Sequence, residues 1–388
     1  MSDFVDGNRI TLLTRGTEYF PQLEAACDAA LHEVHIETYI FDGDETGQRI
    51  GAALKRAAAR GVATHVLVDG FGSKRLSRAF IDELQRAGVR IVVYRPERAP
   101  LFMARHRLRR MHRKIAVVDG RVAFVGGINI IDDMHTPGHR PPRFDYAVRV
   151  EGPLLARIYP AVKRLWALVE FMQFGHDWHD ARRLEPMVAR SGAQAAAFLV
   201  RDNLRHRSDI EEAYLEAIAA ARSEIVIANA YFFPGLSFRR ALMDAAARGV
   251  RVTLLLQGRV EYVLLHYASR ALYGAFLDAG IRISEYHKSF LHAKVAVIDG
   301  IWATVGSSNI DPFSLLLARE ANVVVKDRAF AAALRESLAA AMREGARDVK
   351  RESWHRQPLA VRITTWMAYG IARLLTGMFA YGRAREFN

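Results

Sequence analysis

MHRKIAVVDGRVAFVGGIN, residues 111–129, and LHAKVAVIDGIWATVGSSN, residues 291–309, are one pattern written twice. In a strand, residues two apart face the same way, so His112 projects with Lys114, and His292 with Lys294. The apolar runs that follow end at Asp119-Gly120 and Asp299-Gly300, a dipeptide that closes tight hairpins. Each copy is therefore predicted to be a β-hairpin. Its return strand reaches Gly126-Gly127-Ile128-Asn129 or Gly306-Ser307-Ser308-Asn309, where small residues let a ligand approach the backbone and Asn donates its amide. One imidazole, one ammonium and one amide around a common point suit a tetrahedral oxyanion. Lys and Asn neutralise its oxygens while His attacks phosphorus or protonates a leaving oxygen.

The repetition extends outward from the hairpins. CDAALHEVHIETYIFDGDETGQRIGAALKRAAARGVATHVLVDG, then IDELQRAGVRIVVYRPE, precede the first copy. LEAIAAARSEIVIANAYFFPGLSFRRALMDAAARGVRVTLLLQG, then FLDAGIRISEYHK, precede the second. Each half reads helix, strand, helix, strand, helix, strand, hairpin, with Gly61, Gly88, Gly249 and Gly280 where helices end. The predicted class is α/β, a mixed sheet flanked by helices once per half. The first lobe is placed at 9–170, a connector at 171–194, the second lobe at 195–345 and a separate tail at 346–388.

Other residues recur with the motifs. An acid follows each hairpin in an otherwise apolar strand, Asp145 in FDYAVRV and Glu320 in REANVVV. Either holds its imidazole's other nitrogen and fixes the tautomer, or pairs with Arg143 or Arg319 at a strand end. Glu37 and Asn229 occupy matching places, as do the aromatics of ETYIF (Tyr39, Phe41) and NAYFF (Tyr231, Phe232, Phe233). Tyr39 and Tyr231 are candidates to line the entrance. RHRLRRMHRK, with six Arg or Lys in ten residues, leads into the first motif, which makes Arg110 a candidate headgroup ligand.

The net charge of +13 draws the chain towards polyanions, nucleic acid or anionic lipid. The single Cys27 excludes an intramolecular disulfide and reads as a core residue. The start, MSDFVDGNRITLL, has neither the basic nor the apolar region of a signal peptide. His176 and His179 of HDWH read as linker histidines rather than metal ligands.

Two complete HxKxxxxD copies, each with Gly and Asn downstream at the same spacing, strongly resemble the phospholipase D superfamily. The resemblance implies two lobes face to face about a pseudo-twofold axis with one active site between them. It also implies His112 as nucleophile and His292 as acid/base, a phosphohistidine intermediate, no metal and no cofactor. Lys114, Lys294, Asn129 and Asn309 would neutralise the phosphate, while Asp119 and Asp299 would shape the turns. The two histidines titrate as a pair, since one must be neutral to attack while the other is protonated to release the alcohol. Gly127, Ser307, Ser308 and Arg110 are counted with Tyr39 and Tyr231 as substrate-binding candidates.

RRMHRKIAVVDGRVAFVGGINI, DYAVRVEGP, IANAYFFPG and WATVGSSNIDPFSLLLAREANVVV are similar to bacterial cardiolipin synthases of the short type that lacks N-terminal transmembrane helices. That likeness implies phosphatidyl transfer between phospholipids, two phosphatidylglycerols giving cardiolipin and glycerol, with phosphatidylethanolamine as another donor. It also implies peripheral attachment to the cytoplasmic face of an anionic membrane rather than nucleic-acid binding. Lipid hydrolysis and a nuclease built on the same histidines are the rival chemistries. In the tail, Arg362, Thr365, Tyr369, Arg373, Thr376 and Arg383 form one helical stripe, while Ile363, Trp366, Ile371, Leu374, Leu375 and Met378 spread over the rest. Arginines interrupt it before a span of about 20 apolar residues, so an interfacial helix is expected. The alternative is a helix packed on the catalytic body or on a partner.

Overall fold

The computed structural model describes residues 3–96, 110–136, 140–174, 184–202, 206–260, 263–311 and 318–381. The first half runs β1 (Val5–Thr14), α1 (Arg15–Asp28), β2 (Glu33–Thr38), α2 (Glu45–Ala59), β3 (Ala63–Asp69), α3 (Arg78–Arg86), β4 (Arg90–Tyr94), β5 (Lys114–Val118), β6 (Val122–Gly126), β7 (Arg143–Phe144), β8 (Tyr146–Glu151) and α4 (Leu155–Phe174). The second runs β9 (Gln194–Arg201), α5 (Asp209–Ala220), β10 (Glu224–Asn229), α6 (Leu236–Ala247), β11 (Arg251–Gln257), α7 (Val263–Arg270), α8 (Tyr273–Asp278), β12 (Arg282–Tyr286), β13 (Phe290–Leu291), β14 (Lys294–Ile298), β15 (Trp302–Gly306), β16 (Glu320–Lys326) and α9 (Arg328–Gly345). It closes with β17 (Ala346–Asp348), α10 (Arg351–His355) and α11 (Leu359–Tyr381).

The halves have the same topology. β2, β3 and β4 are parallel and β5 turns antiparallel beside β2; β10, β11, β12 and β14 repeat this. β1 and β9 then pair antiparallel through an irregular register, joining both halves into a 15-stranded sheet, order β17-β12-β11-β10-β14-β15-β16-β9-β1-β8-β6-β5-β2-β3-β4. The sheet folds over on itself there. β6 and β8 pack face to face on β15 and β16, and α4 and α9 complete that inner layer. On the outside, α1 to α3 cover the first half, and α5 to α8 with α11 cover the second.

The motif strands are buried on both faces, which explains their unbroken apolar runs. Ile115 and Val117 enter the inner core while Ala116 and Val118 enter the outer one; Val295, Val297, Ala296 and Ile298 divide the same way. Both hairpins turn through residues at positive φ, Asp119 (+51°) with Gly120 (+60°) and Asp299 (+52°) with Gly300 (+63°). That is the turn whose twist matches paired strands. Cys27, on the inner face of α1, is buried in the core, and burial pushes its thiol up to about 12.

Several elements overrun the expected bounds. β1 begins at Val5, α4 continues to Phe174, and β17 pairs with β12, so Ala346–Asp348 belongs to the second half of the sheet rather than to a separate tail. An edge strand held by backbone hydrogen bonds leaves no apolar alternation to read. The described end of the connector is pinned to the first half, Met187 N–H donating to Gly120 O and Ser191 N–H to Gly7 O. His176 and His179, Arg105 to Arg109 of the basic run, and Arg383 lie outside the described residues.

Candidate active site

Because β5 runs antiparallel to β2, and β14 to β10, the residues just before β5 and β14 lie beside the C-terminal ends of the parallel strands. There the halves are stitched together. His112 N–H donates to Arg319 O (2.9 Å), and His292 N–H donates to Phe144 O (2.8 Å). These acceptors stand immediately before Glu320 and Asp145, so each acid is carried to the opposite half's histidine. His112 Nδ1 lies 2.9 and 3.1 Å from the Glu320 carboxylate oxygens, and His292 Nδ1 lies 2.6 Å from Asp145 Oδ2. This corrects the expectation that each acid serves the imidazole of its own hairpin. Within a half, strand β8 or β16 leads its acid away across the interface. A carboxylate only accepts, so Nδ1 carries the proton and Nε2 is left for chemistry in both rings.

The cations gather at the same place. Lys114 Nζ donates to His112 O (2.6 Å) and lies 5.2 Å from the Tyr39 ring centroid, while that ring meets the His112 ring edge-on at 4.8 Å. Lys294 Nζ donates to His292 O and sits 2.9 Å from His292 Nδ1 and 3.9 Å from Asp145 Oδ2. Asn129 accepts from Ile40 N–H through Oδ1 (3.0 Å), and its buried Nδ2 has no partner among the described residues. Asn309, at the sequence-equivalent position of the second half, is also buried.

Burial decides the protonation states. It lowers both histidines, His292 well below the usual range, with Lys294 next in effect there; at His112 the Glu320 carboxylate opposes it. Burial brings Lys114 down to about 7 and pushes Asp145 up to about 6. Two ammonium groups and two imidazoles with only two carboxylates leave the pocket short of negative charge. A bound phosphodiester relieves that shortage and raises the affinity of all four bases for protons.

The two half-sites differ where Ser307 replaces Gly127. A Cβ on Gly127 would stand 2.3 Å from Asp145 Oδ1, so that carboxylate fills the space of a side chain. Ser307 has room, and its hydroxyl donates to Glu320 Oε2. Ser307 and Ser308 were expected to bind substrate; both are buried, and Ser308 Oγ donates to Asn309 O (3.3 Å). Their hydroxyls are spent on the protein.

Other expected residues are also placed elsewhere. Asp119 accepts from the N–H groups of Leu31, His32 and Glu33 (each 2.8 Å), and Asp299 from Arg222, Ser223 and Glu224 (2.8, 2.8 and 2.9 Å). They lie a full strand away from the lysines, latching each hairpin to the start of β2 or β10, and do not touch the reacting centre. Arg113 turns inward and binds Glu37 through two 2.6 Å hydrogen bonds, while Arg110 lies 3.7 Å from Asp69 and over the Phe71 ring. Arg113 is thus spent on Glu37, while Arg110 keeps part of its side chain open beside Asp69. Tyr231 lines a narrow cleft with Gln257, Arg259 and His266.

One pair of supports was not foreseen. Asp69 accepts from Met111 N–H (2.9 Å), and Gln257 Nε2 donates to Leu291 O (3.1 Å), so each strap holds the residue preceding a histidine. The repeated ends of VLVDG and LLLQG were the available signal.

The family described as "Cardiolipin synthase, PLD-like domain" matches residues 23–137 and 214–342. Cardiolipin synthase B of Salmonella typhi is 43% identical over 335 residues, 86% of this chain and 80% of that protein. The cardiolipin synthase of Geobacillus kaustophilus is 32% identical over 384 residues, 95% of this chain and 72% of that one. Among solved structures, the phosphatidylserine synthase of Haemophilus influenzae superposes with a TM-score of 0.71 at 13% identity, covering 95% and 94% of the two chains, a likeness of fold.

Proposed function

Since the chain belongs to the cardiolipin synthase family of PLD-like proteins, and is thereby a phospholipid phosphatidyltransferase, we propose that it forms cardiolipin through a phosphohistidine on His112. His112 Nε2 attacks the phosphorus of one phosphatidylglycerol. The P–O bond to the headgroup glycerol breaks, and that oxygen takes the proton from His292 Nε2. The terminal hydroxyl of a second phosphatidylglycerol then gives its proton to His292 and attacks phosphorus, and the P–N bond to His112 breaks. Cardiolipin and glycerol leave, and both imidazoles return to their starting state.

What supports this reading is that each imidazole has Nδ1 fixed by a carboxylate from the opposite half, leaving two Nε2 atoms for two proton-linked displacements. His112 is taken as nucleophile because its side chain is the more open, 15% against 9% for His292. Lys114, Lys294, Asn129 and Asn309 neutralise the equatorial oxygens. Within this proposal the protein works as a peripheral enzyme at the cytoplasmic membrane face.

The test is to incubate the protein with phosphatidylglycerol vesicles without divalent metal and follow products by mass spectrometry beside His112→Ala. Cardiolipin with released glycerol, lost in the variant, is the expected result. Phosphatidic acid as sole product would make water the acceptor, and full activity in His112→Ala would remove the histidine from the mechanism.

A further inference from the structure

α11 is mounted in an unusual sense. A surface helix ordinarily buries its large apolar residues and exposes the polar ones. Here Thr365, Ala368 and Ala372 are buried and Tyr369 and Leu375 half-buried, at three- and four-residue steps. Ala368, Ala372 and Tyr369 join the same apolar cluster as Ala268 and Tyr267 of α7. At about 100° per residue, Leu359, Ile363, Trp366, Met367, Ile371 and Leu374 fall on the opposite side. They stand exposed, Trp366 by 57%, Met367 by 62% and Leu374 by 66%. The polar stripe expected from the sequence is therefore split: Thr365 and Tyr369 face the body, while Arg362 and Arg373 are exposed along one edge of the apolar face.

The docked side of α11 reaches towards the active-site end of the second half. Tyr369 meets the Phe233 ring at 5.6 Å, and Phe233 N–H donates to Ile310 O (2.8 Å), next to Asn309. Leu236, Val260 and Val263, which follow the C-terminal ends of β10 and β11, are further exposed apolar residues. No helix among the described residues is long and apolar enough to cross a membrane.

We infer that the outward face of α11 is the surface by which this chain lies on an anionic phospholipid bilayer, seating the mouth of the active site on the lipid that it consumes. Three observations choose a bilayer over a second copy of the chain. The exposed Arg362 and Arg373 of the helix and Arg356 just before it, with a net charge of +13, complement anionic headgroups but repel an identical subunit. Trp366 in a band of aliphatic residues beside arginines has the amphipathic character of an interface anchor. The helix also packs on Phe233, just beyond the C-terminal end of β10 and bonded to Ile310 next to Asn309. The inference rests on the reading of the substrate as a membrane lipid.

The test uses the full chain and separates binding from turnover. Vesicles of phosphatidylglycerol and phosphatidylethanolamine are pelleted with wild type, with Trp366→Glu/Leu374→Glu, and with His112→Ala. Wild type and His112→Ala are expected to bind alike, and the double variant on the order of tenfold or more weaker. Turnover of a short-chain phosphatidylglycerol dissolved below its micelle concentration should be unchanged in the double variant. In a second measurement that needs no destabilising substitution, brominated lipids should quench a fluorescence component that Trp366→Phe lacks. Equal vesicle binding by the double variant, or no quenching of Trp366, overturns the inference. So does a lipid-free dimer that the double variant converts to monomer. Absence of transfer by wild type that still binds vesicles through this face would refute the enzymatic reading alone.

Discussion

Gly127→Ala isolates the orientation of one imidazole from the integrity of the fold. An added Cβ would lie 2.3 Å from Asp145 Oδ1, 2.6 Å from Oδ2 and 2.7 Å from Cγ, all side-chain atoms. Ordinary contact begins near 3.4 Å, so the carboxylate must retreat by about 1 Å. Its 2.6 Å bond to His292 Nδ1 cannot survive such a move. A charge-assisted hydrogen bond is worth about 1.5–3 kcal/mol, and an error of about 1 Å in a catalytic group costs about a hundredfold in rate. The expectation is a loss of about a hundredfold in kcat with the melting transition nearly in place, because nothing in the backbone is struck. Gly126→Ala is the contrasting variant. Its Cβ would stand 2.4 Å from Ala147 Cα and 2.5 Å from Tyr146 O, so the fold itself must give. Initial rates of glycerol release, with melting curves for both variants, measure the two effects separately. A Gly127→Ala enzyme within threefold of wild type would show that the Asp145 carboxylate does not orient His292 for the reaction.

Further outcomes can be set out together. With Lys114 brought down to about 7 and Asp145 pushed up to about 6, kcat/KM for the anionic lipid should rise as Asp145 ionises and fall as Lys114 loses its proton. The alkaline limb of kcat should sit at higher pH than that of kcat/KM, since bound phosphate keeps the lysine charged; coincident limbs would take Lys114 out of phosphate binding. Arg113→Ala strands the buried Glu37 carboxylate and should cost about 3–5 kcal/mol in denaturant unfolding. Adding Glu37→Asn, which copies Asn229 and Ala293 of the second half, should recover much of that loss. Asp119→Ala removes the acceptor of three N–H bonds and should lower stability by about 2–4 kcal/mol, with turnover per folded molecule unchanged. A tenfold fall in that turnover would return Asp119 to the reacting centre.

The repeated hairpins were readable because turn chemistry and strand periodicity are local properties, and two copies at matching spacing reinforce each other. The choice of His112, Lys114, His292 and Lys294 as candidates rests on that local pattern, and the structure brings them together. The partners of the acids were not readable. A sequence symmetric under exchange of halves gives the same pattern whether Asp145 serves His112 or His292, and the crossing depends on how β7 and β13 meet. Ser307 against Gly127 looked like a difference in substrate contacts; only the volume filled by Asp145 explains it. The straps from Asp69 and Gln257 sit at strand ends where a polar residue has many ordinary uses. For α11 the helical pattern gave two faces without saying which one docks, and size was a misleading guide. The small residues Ala368 and Ala372 allow close approach to α7, leaving the bulky side chains outward.

The crossing of carboxylates between halves bears on how the chain is made. While only the first half has left the ribosome, His112 lacks both Glu320 and the Arg319 carbonyl that fixes its backbone. An imidazole without a set tautomer, facing no second histidine, is a poor nucleophile and has no acid to release an alcohol. Within the proposed mechanism, reactivity towards phosphodiesters arises only when β16 has found its place. On that proposal the unfinished polypeptide is silent towards the membrane lipids among which it is made.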